Sequence, residues 1–441
     1  MTLHPFLQIQ IGDVDITTIP PEFVQSLTYK SSIEALSTLD FNVVDPTFSD
    51  IEQLLIGSDS DNSPIFARFG YTDRFGQTSS NWIQTRLISY SPRLTHKGTD
   101  ITASCLVDVG NQIVEARSRV YQGRISSVVQ QIADDIGITA EVEETNDDIN
   151  DALPDNRGAP KLWCTNGLTT YEFVRKILLP LARSRTGQSD YQFWITGVGS
   201  RTQPPVLHFH TKEFPNCSTR KKRIKELTYL AGQQDQVIDF QPNYNSSLLG
   251  NLGGGQTVMR AYDPVTKQFV SSVQNFRTNK DSLAYGSGQS SVSQPITEEG
   301  VNEDLASQAG FHMVREDSTA DAEARARNRW ELLKAYSFTA VLTLVGLPDY
   351  PDAAGRFIPG TGTTDLEAND QVQMNVLIPN LPGSSIGPPY RKHWSSGLYL
   401  VTEAVHEISS QYTVTCQLRR DQSDLGGGPS KGAKFIPQQQ Q

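Results

Sequence analysis

The sequence predicts a β-dominated α+β protein: two sets of antiparallel strands with a small α/β module inserted between them. Three observations predict it. Short runs of alternating polarity, separated by turn residues, recur through residues 1–120 and again from about 223 onward. Between them, two stretches switch to a helical period of three to four. The last ordered part then changes period within a few residues. Ala322, Ala326, Trp330 and Leu333 form a helical stripe, and Phe338, Ala340, Leu342 and Leu344 fall on one side of a strand.

The first set spans residues 1–120. Leu7 to Ile19 alternates as a strand pair turning at Gly12-Asp13. Val24–Leu27 and Thr38–Val44 continue in strands, and Ile51–Leu55 is a short helical piece. Pro64–Tyr71 and Trp82–Tyr90 are strands joined at Asp73-Arg74-Phe75-Gly76, and Ile101–Val109 closes the set. Many short strands at this spacing indicate a sandwich or barrel. Asp59-Ser60-Asp61-Asn62-Ser63 lacks the glycine and distal Glu of a calcium loop and reads as a turn.

The inserted module covers 121–222. Gly123 precedes a helix with the stripe Ile125, Val128, Val129, Ile132 and Ile136, and Gly137 stops it. Glu141 to Asp155 is acidic and reads as a surface loop. A second helix runs from Thr169 to Leu181, capped by Thr170, with Phe173, Val174, Ile177 and Leu178 as its stripe and Pro180 at its end. Two strands follow, Tyr191–Thr196 and Val206–His210.

The second set begins in 223–317. The basic run Arg220-Lys221-Lys222-Arg223 leads into a strand, Ile224–Leu230; it reads as a solvated edge that discourages edge-to-edge pairing, with a partner contact as the alternative. Val237–Phe240 is next, and Thr257–Ala261 with Gln268–Val270 forms a hairpin turning at Asp263-Pro264. Ser271 to Gln294 is polar and reads as a long loop, and Glu298–Ala309 as a modest helix. Residues 318–424 hold the bracing helix, with Ser318 and Asp321 as its capping pair, and the remaining strands. These strands are Phe338–Val345 and the runs Val372/Met374/Val376/Ile378, Tyr399/Val401/Glu403/Val405 and Tyr412/Val414/Cys416/Leu418. Residues 425–441 are rich in Gly, Pro and Gln and read as a flexible tail.

Composition narrows the function. The 441 residues carry a net charge of −11, which argues against a nucleic-acid binder working through a basic patch. No apolar stretch approaches the roughly 20 residues of a membrane span, and no basic-then-apolar leader opens the chain. The four cysteines, Cys105, Cys164, Cys217 and Cys416, form no CxxC and suit a reducing compartment; Cys105 and Cys416 sit in strands as small buried hydrophobes.

The best metal-like feature is His208-Phe209-His210. Two His one residue apart on a strand point the same way, and Cys217 is near enough in sequence to join them. The alternative is the polar face of an edge strand. Gly197-Val198-Gly199 has no third glycine opening a helix, and neither GxxxxGK[ST] nor GxSxG occurs. The pairs Asp134/Asp135, Glu143/Glu144, Asp147/Asp148 and Glu298/Glu299 read as solvated charges. Neither catalytic, cofactor-binding nor metal residues are therefore assigned. Two other functions stay open: a peptidoglycan hydrolase using Glu298 or Glu299, and a glycan-binding module using Trp163, Trp194 and Trp394, each of which is also a core candidate.

Several stretches resemble the baseplate hub proteins of contractile phage tails, the late-control hub family related to the hub part of type VI secretion spikes. They are "GRISSVVQQIADDIG" at Gly123–Gly137, "TTYEFVRKIL" at Thr169–Leu178 and "VMRAYDPVTKQF" at Val258–Phe269. The pieces "ARARNRWELLKAYSFTAVLTLVGLPDY" and "GLYLVTEAVHEISSQYTVTCQLRRD" look similar as well. The resemblance implies two tube-protein-like antiparallel β-barrels per chain and a homotrimeric, non-enzymatic ring. That ring would join a hexameric tail tube protein to a trimeric central spike protein, beside other baseplate or wedge proteins, in a virion tail assembled in the host cytoplasm. DNA would pass as cargo through an acidic lumen without sticking, with no stable membrane insertion and no cofactor. No fused spike or lysozyme domain is visible in the chain.

Overall fold

The computed structural model describes residues 5–16, 24–60, 63–71, 82–109, 113–116, 118–146, 162–184, 191–196, 198–199, 205–211, 224–230, 236–244, 256–263, 268–275, 312–313, 328, 336, 338–348, 362–379, 390–409 and 411–420. The first set comprises β1 (Pro5–Ile11), β2 (Val14–Asp15), β3 (Val24–Ser32), β4 (Thr38–Asp45), α1 (Asp50–Ser60), β5 (Ile65–Tyr71), β6 (Trp82–Thr95) and β7 (Gly98–Val107). The module comprises β8 (Val120–Gln122), α2 (Ile125–Ile136), β9 (Thr139–Val142), β10 (Leu162–Cys164), α3 (Thr170–Phe173), β11 (Gln192–Thr196), β12 (Val198–Gly199) and β13 (Val206–His210). The second set comprises β14 (Lys225–Leu230), β15 (Val237–Tyr244), β16 (Gln256–Asp263), β17 (Gln268–Asn275), β18 (His312–Met313), β19 (Phe338–Val345), β20 (Gln371–Pro379), β21 (Tyr390–Lys392), β22 (Gly397–Ile408) and β23 (Tyr412–Arg420).

Alternation makes these strands and fills their core. In β19, Phe338, Ala340, Leu342 and Leu344 are buried while the intervening residues are half-exposed. Tyr412, Val414, Cys416 and Leu418 do the same in β23, and Ile101, Ala103, Cys105 and Val107 in β7. Several strands run longer than alternation suggested. β6 extends to Thr95, and β17 takes in Ser271–Asn275, read from sequence as loop. Asp59 and Ser60 close α1 rather than forming a separate turn.

The two sets are not separate sheets. One path of hydrogen-bonded strands runs β15-β19-β23-β22-β3-β4-β7-β6-β5-β1-β2. It curls from the second set into the first through the antiparallel pair β22–β3. One hydrophobic core follows it, with Ile9, Leu27 and Phe41 from the first set joined to Leu342, Val372 and Val414 from the second.

Strand β22 changes neighbour along its length. Gly397–Leu400 pair with β20, whereas Glu403–Ile408 pair with β3. Its register against β23 shifts between Val401 and Glu403. The extra residue flips the parity of the side chains. Tyr399 and Val401 point into the core before it, and Ala404, His406 and Ile408 after it. Glu403 and Val405, expected to share the face of Tyr399, are turned outward and half-exposed instead.

The module has a core of its own, built on α2, α3 and the sheet β11-β13-β9. Ile125, Val128, Val129 and Ile132 are buried as the stripe predicts, and Gly137 ends α2 at φ 75°. The second helix differs from its reading in two ways. Its cap is Thr169, in a capping box with Glu172, and Thr170 is the first residue inside. It also changes pitch, from α over 170–173 to a wide π turn over Val174–Leu178 and a 3-10 turn over Leu179–Leu181. Pro180 has no N–H for an α-helical bond to Lys176, and its ring would meet that carbonyl.

The acidic segment starting at Glu141 is not all loop, because its first residues finish β9, which pairs in parallel with β13. The turn Asp73–Gly76, the basic run 220–223, the helix 298–309, the stripe residues Ala322, Ala326, Trp330 and Leu333, and the tail 425–441 lie outside the described residues. Asn328, within that stretch, is helical and buried. Its amide donates to the carbonyls of Pro180 (2.5 Å) and Ala182 (3.1 Å) at the end of the module's second helix. No helix among the described residues is long and apolar enough to cross a membrane.

Candidate functional site

The module's three-stranded sheet has two unlike faces. Phe193, Ile195, Leu207 and Phe209 point to the module core. The alternate residues are Gln192 and Trp194 on β11, His208 and His210 on β13, and Glu141 on β9. Pairing sets them in rows: Trp194 opposite His208 opposite Glu141, and Gln192 opposite His210. Most of this polar face is buried too, with His208 2% and His210 1% exposed and Glu141 half-buried at its edge.

Its cover comes from the joint between the two strand sets. Trp194 packs with Ile33, Ala368 and Leu400, one residue from just past β3 and two from the second set. The same joint is laced by backbone. Ile33 N–H donates to the Thr402 carbonyl (2.9 Å) and Ala368 N–H to the Ser31 hydroxyl (3.2 Å).

On this face, one donor atom each from Glu141, His208 and His210 lies within 4.8 Å of the other two. His208 Nδ1 is 3.2 Å from a Glu141 carboxylate oxygen, and its Nε2 is 3.4 Å from the Thr196 hydroxyl. His210 Nδ1 is 2.7 Å from the Thr211 carbonyl, so that nitrogen bears the proton and Nε2 presents a lone pair. Thr211 is held in turn by Glu143, whose carboxylate accepts from its N–H and its hydroxyl, both at 2.7 Å. The Trp194 ring stacks on His208 at 4.5 Å with 10° between planes and meets His210 edge-on at 4.9 Å.

The predicted pair His208/His210 is therefore together, on an inner face rather than an edge. Cys217, its expected companion, lies outside the described residues. Glu141 takes that place. Sequence reasoning missed it because it joins through the parallel pairing of β9 with β13, across more than sixty residues. Of the tryptophans, Trp163 is buried with its Nε1 donating to the Gly123 carbonyl (2.9 Å), and Trp194 is buried as above. Trp394 is 54% exposed, set edge-on to Phe338. Asp134 accepts from Gln130, Asp135 pairs with Arg119, and Glu144 pairs with Arg124, all at the surface. Glu298 and Glu299 lie outside the described residues.

The fold defines a class: a β-dominated chain on one large curled antiparallel sheet, with an α/β module inserted against its joint. Over 96% of its length the chain is similar to the tail protein from Neisseria meningitidis MC58, covering 99% of that chain with a TM-score of 0.53 at 10% identity. It is also similar to the 43 kDa tail protein of prophage MuSo2 from Shewanella oneidensis, with a TM-score of 0.49 at 9% identity, over 96% of this chain and 100% of that one. A third likeness is to an E. coli component of the type VI secretion system, with a TM-score of 0.46 at 9% identity, covering 90% and 74%. At these identities the likeness is one of fold. No family model and no curated protein matches the sequence. The β-dominated tail-protein fold agrees with the hub resemblance read from the sequence.

Proposed function

We propose that the chain is a structural hub of a phage-type tail. Three copies form a ring that joins a sixfold tail tube to a threefold spike and leaves a passage for DNA. The observation that carries this reading is the β22–β3 pairing, which welds two strand sets of one chain into a continuous curled sheet. Two such sets per chain and three chains give the six-part face that a hexameric tube requires. The fold likeness to a tail protein over almost the whole of both chains supports the same role. The net charge of −11 suits a conduit, since an acidic wall repels a passing polyanion. In this role the chain performs no catalysis. Its partners are tube, spike and other baseplate proteins in the virion tail, after assembly in the host cytoplasm.

Light scattering on the purified chain, alone and with its spike partner, tests the reading. The expected mass is three chains, and negative-stain images should show a ring with a threefold and a sixfold-like face. A chain that stays monomeric and binds neither tube nor spike protein overturns it.

A further inference from the structure

We propose that Glu141, His208 and His210 form a binding site for a borderline divalent cation, Zn²⁺ first among them, which clamps β9 to β13 on the buried face of the module. The donor set is two imidazoles and a carboxylate, a combination that selects Zn²⁺ and its first-row neighbours over Mg²⁺ or Ca²⁺. The spacing suits an ion. His208 Nδ1 and the Glu141 oxygen stand 3.2 Å apart. Two ligands at zinc distances on a tetrahedron stand roughly 3.3 Å apart. His210 completes the group, with one ligand atom from each residue within 4.8 Å of the other two.

The surroundings are those of a metal site. A ligating His commonly donates its other ring N–H to a backbone carbonyl or hydroxyl, which fixes the tautomer. His210 Nδ1 faces the Thr211 carbonyl, and the Glu143–Thr211 hydrogen bonds hold that carbonyl in place. His208, ligating through Nδ1, has the Thr196 hydroxyl beside Nε2. Trp194 fixes the His208 ring plane and keeps bulk water out. A separate observation points to a ligand. Gln192, directly opposite His210 on the same face, is 5% exposed, and neither polar atom of its amide has a hydrogen-bond partner among the described residues. A buried amide left in that state is costly; a water on the ion's fourth position would donate to its Oε1.

A plain His208–Glu141 ion pair is the competing account, and metal content separates the two. The tag-free full chain is stripped with chelator, equilibrated with Zn²⁺ and dialysed. One ion per chain is expected by mass spectrometry of the metal, with a thermal midpoint that rises with Zn²⁺ concentration. X-ray absorption at the zinc edge should report two imidazoles and oxygen. Glu141→Gln and His210→Gln should abolish retention, and Glu143→Gln should weaken it by about 10–100-fold, as outer-shell changes do. Substoichiometric zinc in the folded chain overturns the proposal. So does a sulfur-dominated spectrum, or retention undiminished in both ligand variants. Where a variant fails to fold, wild-type stoichiometry and the absorption spectrum decide.

Discussion

His406 Nδ1 and the Tyr412 hydroxyl lie 2.8 Å apart in the core that the two strand sets share. His406 Nε2 lies 2.6 Å from the Leu366 carbonyl, so that nitrogen is the donor and Nδ1 accepts from the tyrosine. Tyr71 of β5 reaches the same place and donates its hydroxyl to the Gly346 carbonyl. Burial pushes the Tyr412 hydroxyl well above its ordinary range, so it keeps its proton at all ordinary pH values. Tyr412→Phe removes that donor without opening a cavity. The expected loss is about 1–3 kcal/mol, read as a lower urea midpoint with an unchanged slope.

Two glycines should separate close approach from backbone conformation. A Cβ on Gly98 would sit 2.3 Å from the Asp45 carbonyl oxygen, a backbone atom held in β4, and φ there is +144°. At Gly12, φ is +58° and nothing lies within 4 Å of the added carbon. Gly12→Ala should cost about 1–2 kcal/mol, the penalty of a left-handed residue. Gly98→Ala must also displace β4 from β7 and should give far less soluble protein. Expression yield and denaturation midpoints of the two variants check the order.

What the sequence revealed and what it hid divide along a physical line. Strand faces in β19 and β23 were legible because a period of two in Phe338–Leu344 and Tyr412–Leu418 is written in consecutive residues. So was α2, from its stripe and Gly137. The bulge in β22 was not, because the apolar residues continue across Thr402 with no glycine or proline to mark it. The β22–β3 joint was hidden for a different reason: it pairs residues hundreds of positions apart. Thr169 and Thr170 are chemically equal caps, and only Glu172, three after Thr169, distinguishes them. In the candidate site, the His-x-His pair was visible and Glu141 was not, for the same reason of distance along the chain.

The thiols should report burial through pH. Desolvation pushes Cys105 and Cys416 up to about 12, while Cys164 is exposed. Only thiolates react quickly with disulfide reagents. At pH 8 the folded chain should label at Cys164, with Cys105 and Cys416 reacting only after unfolding. The linkage has a definite sign. The folded pKa is raised, so the contribution is intact below the unfolded value of 9.0 and is lost as pH rises from there toward about 12. Cys416→Ala, which removes one such group, should flatten the alkaline fall in stability, measured by urea titration across that range.

The joint between the sets makes a prediction about cooperativity. Ile408 of β22 stands opposite Leu27 of β3, and both side chains are buried in the shared core. Leu27→Ala should cost about 2–5 kcal/mol through lost burial and the cavity left behind. The Lys30–Glu403 ion pair crosses the same joint at 2.8 Å, with side chains 40% and 25% exposed. Water and salt screen it, so Glu403→Gln should change stability by less than about 1 kcal/mol. If one core serves both sets, Leu27→Ala should speed amide exchange in β4 and in β23 by the same factor, since both are protected by one global opening. Faster exchange confined to β4 would mean that the sets open independently and that the β22–β3 pairing does not couple them.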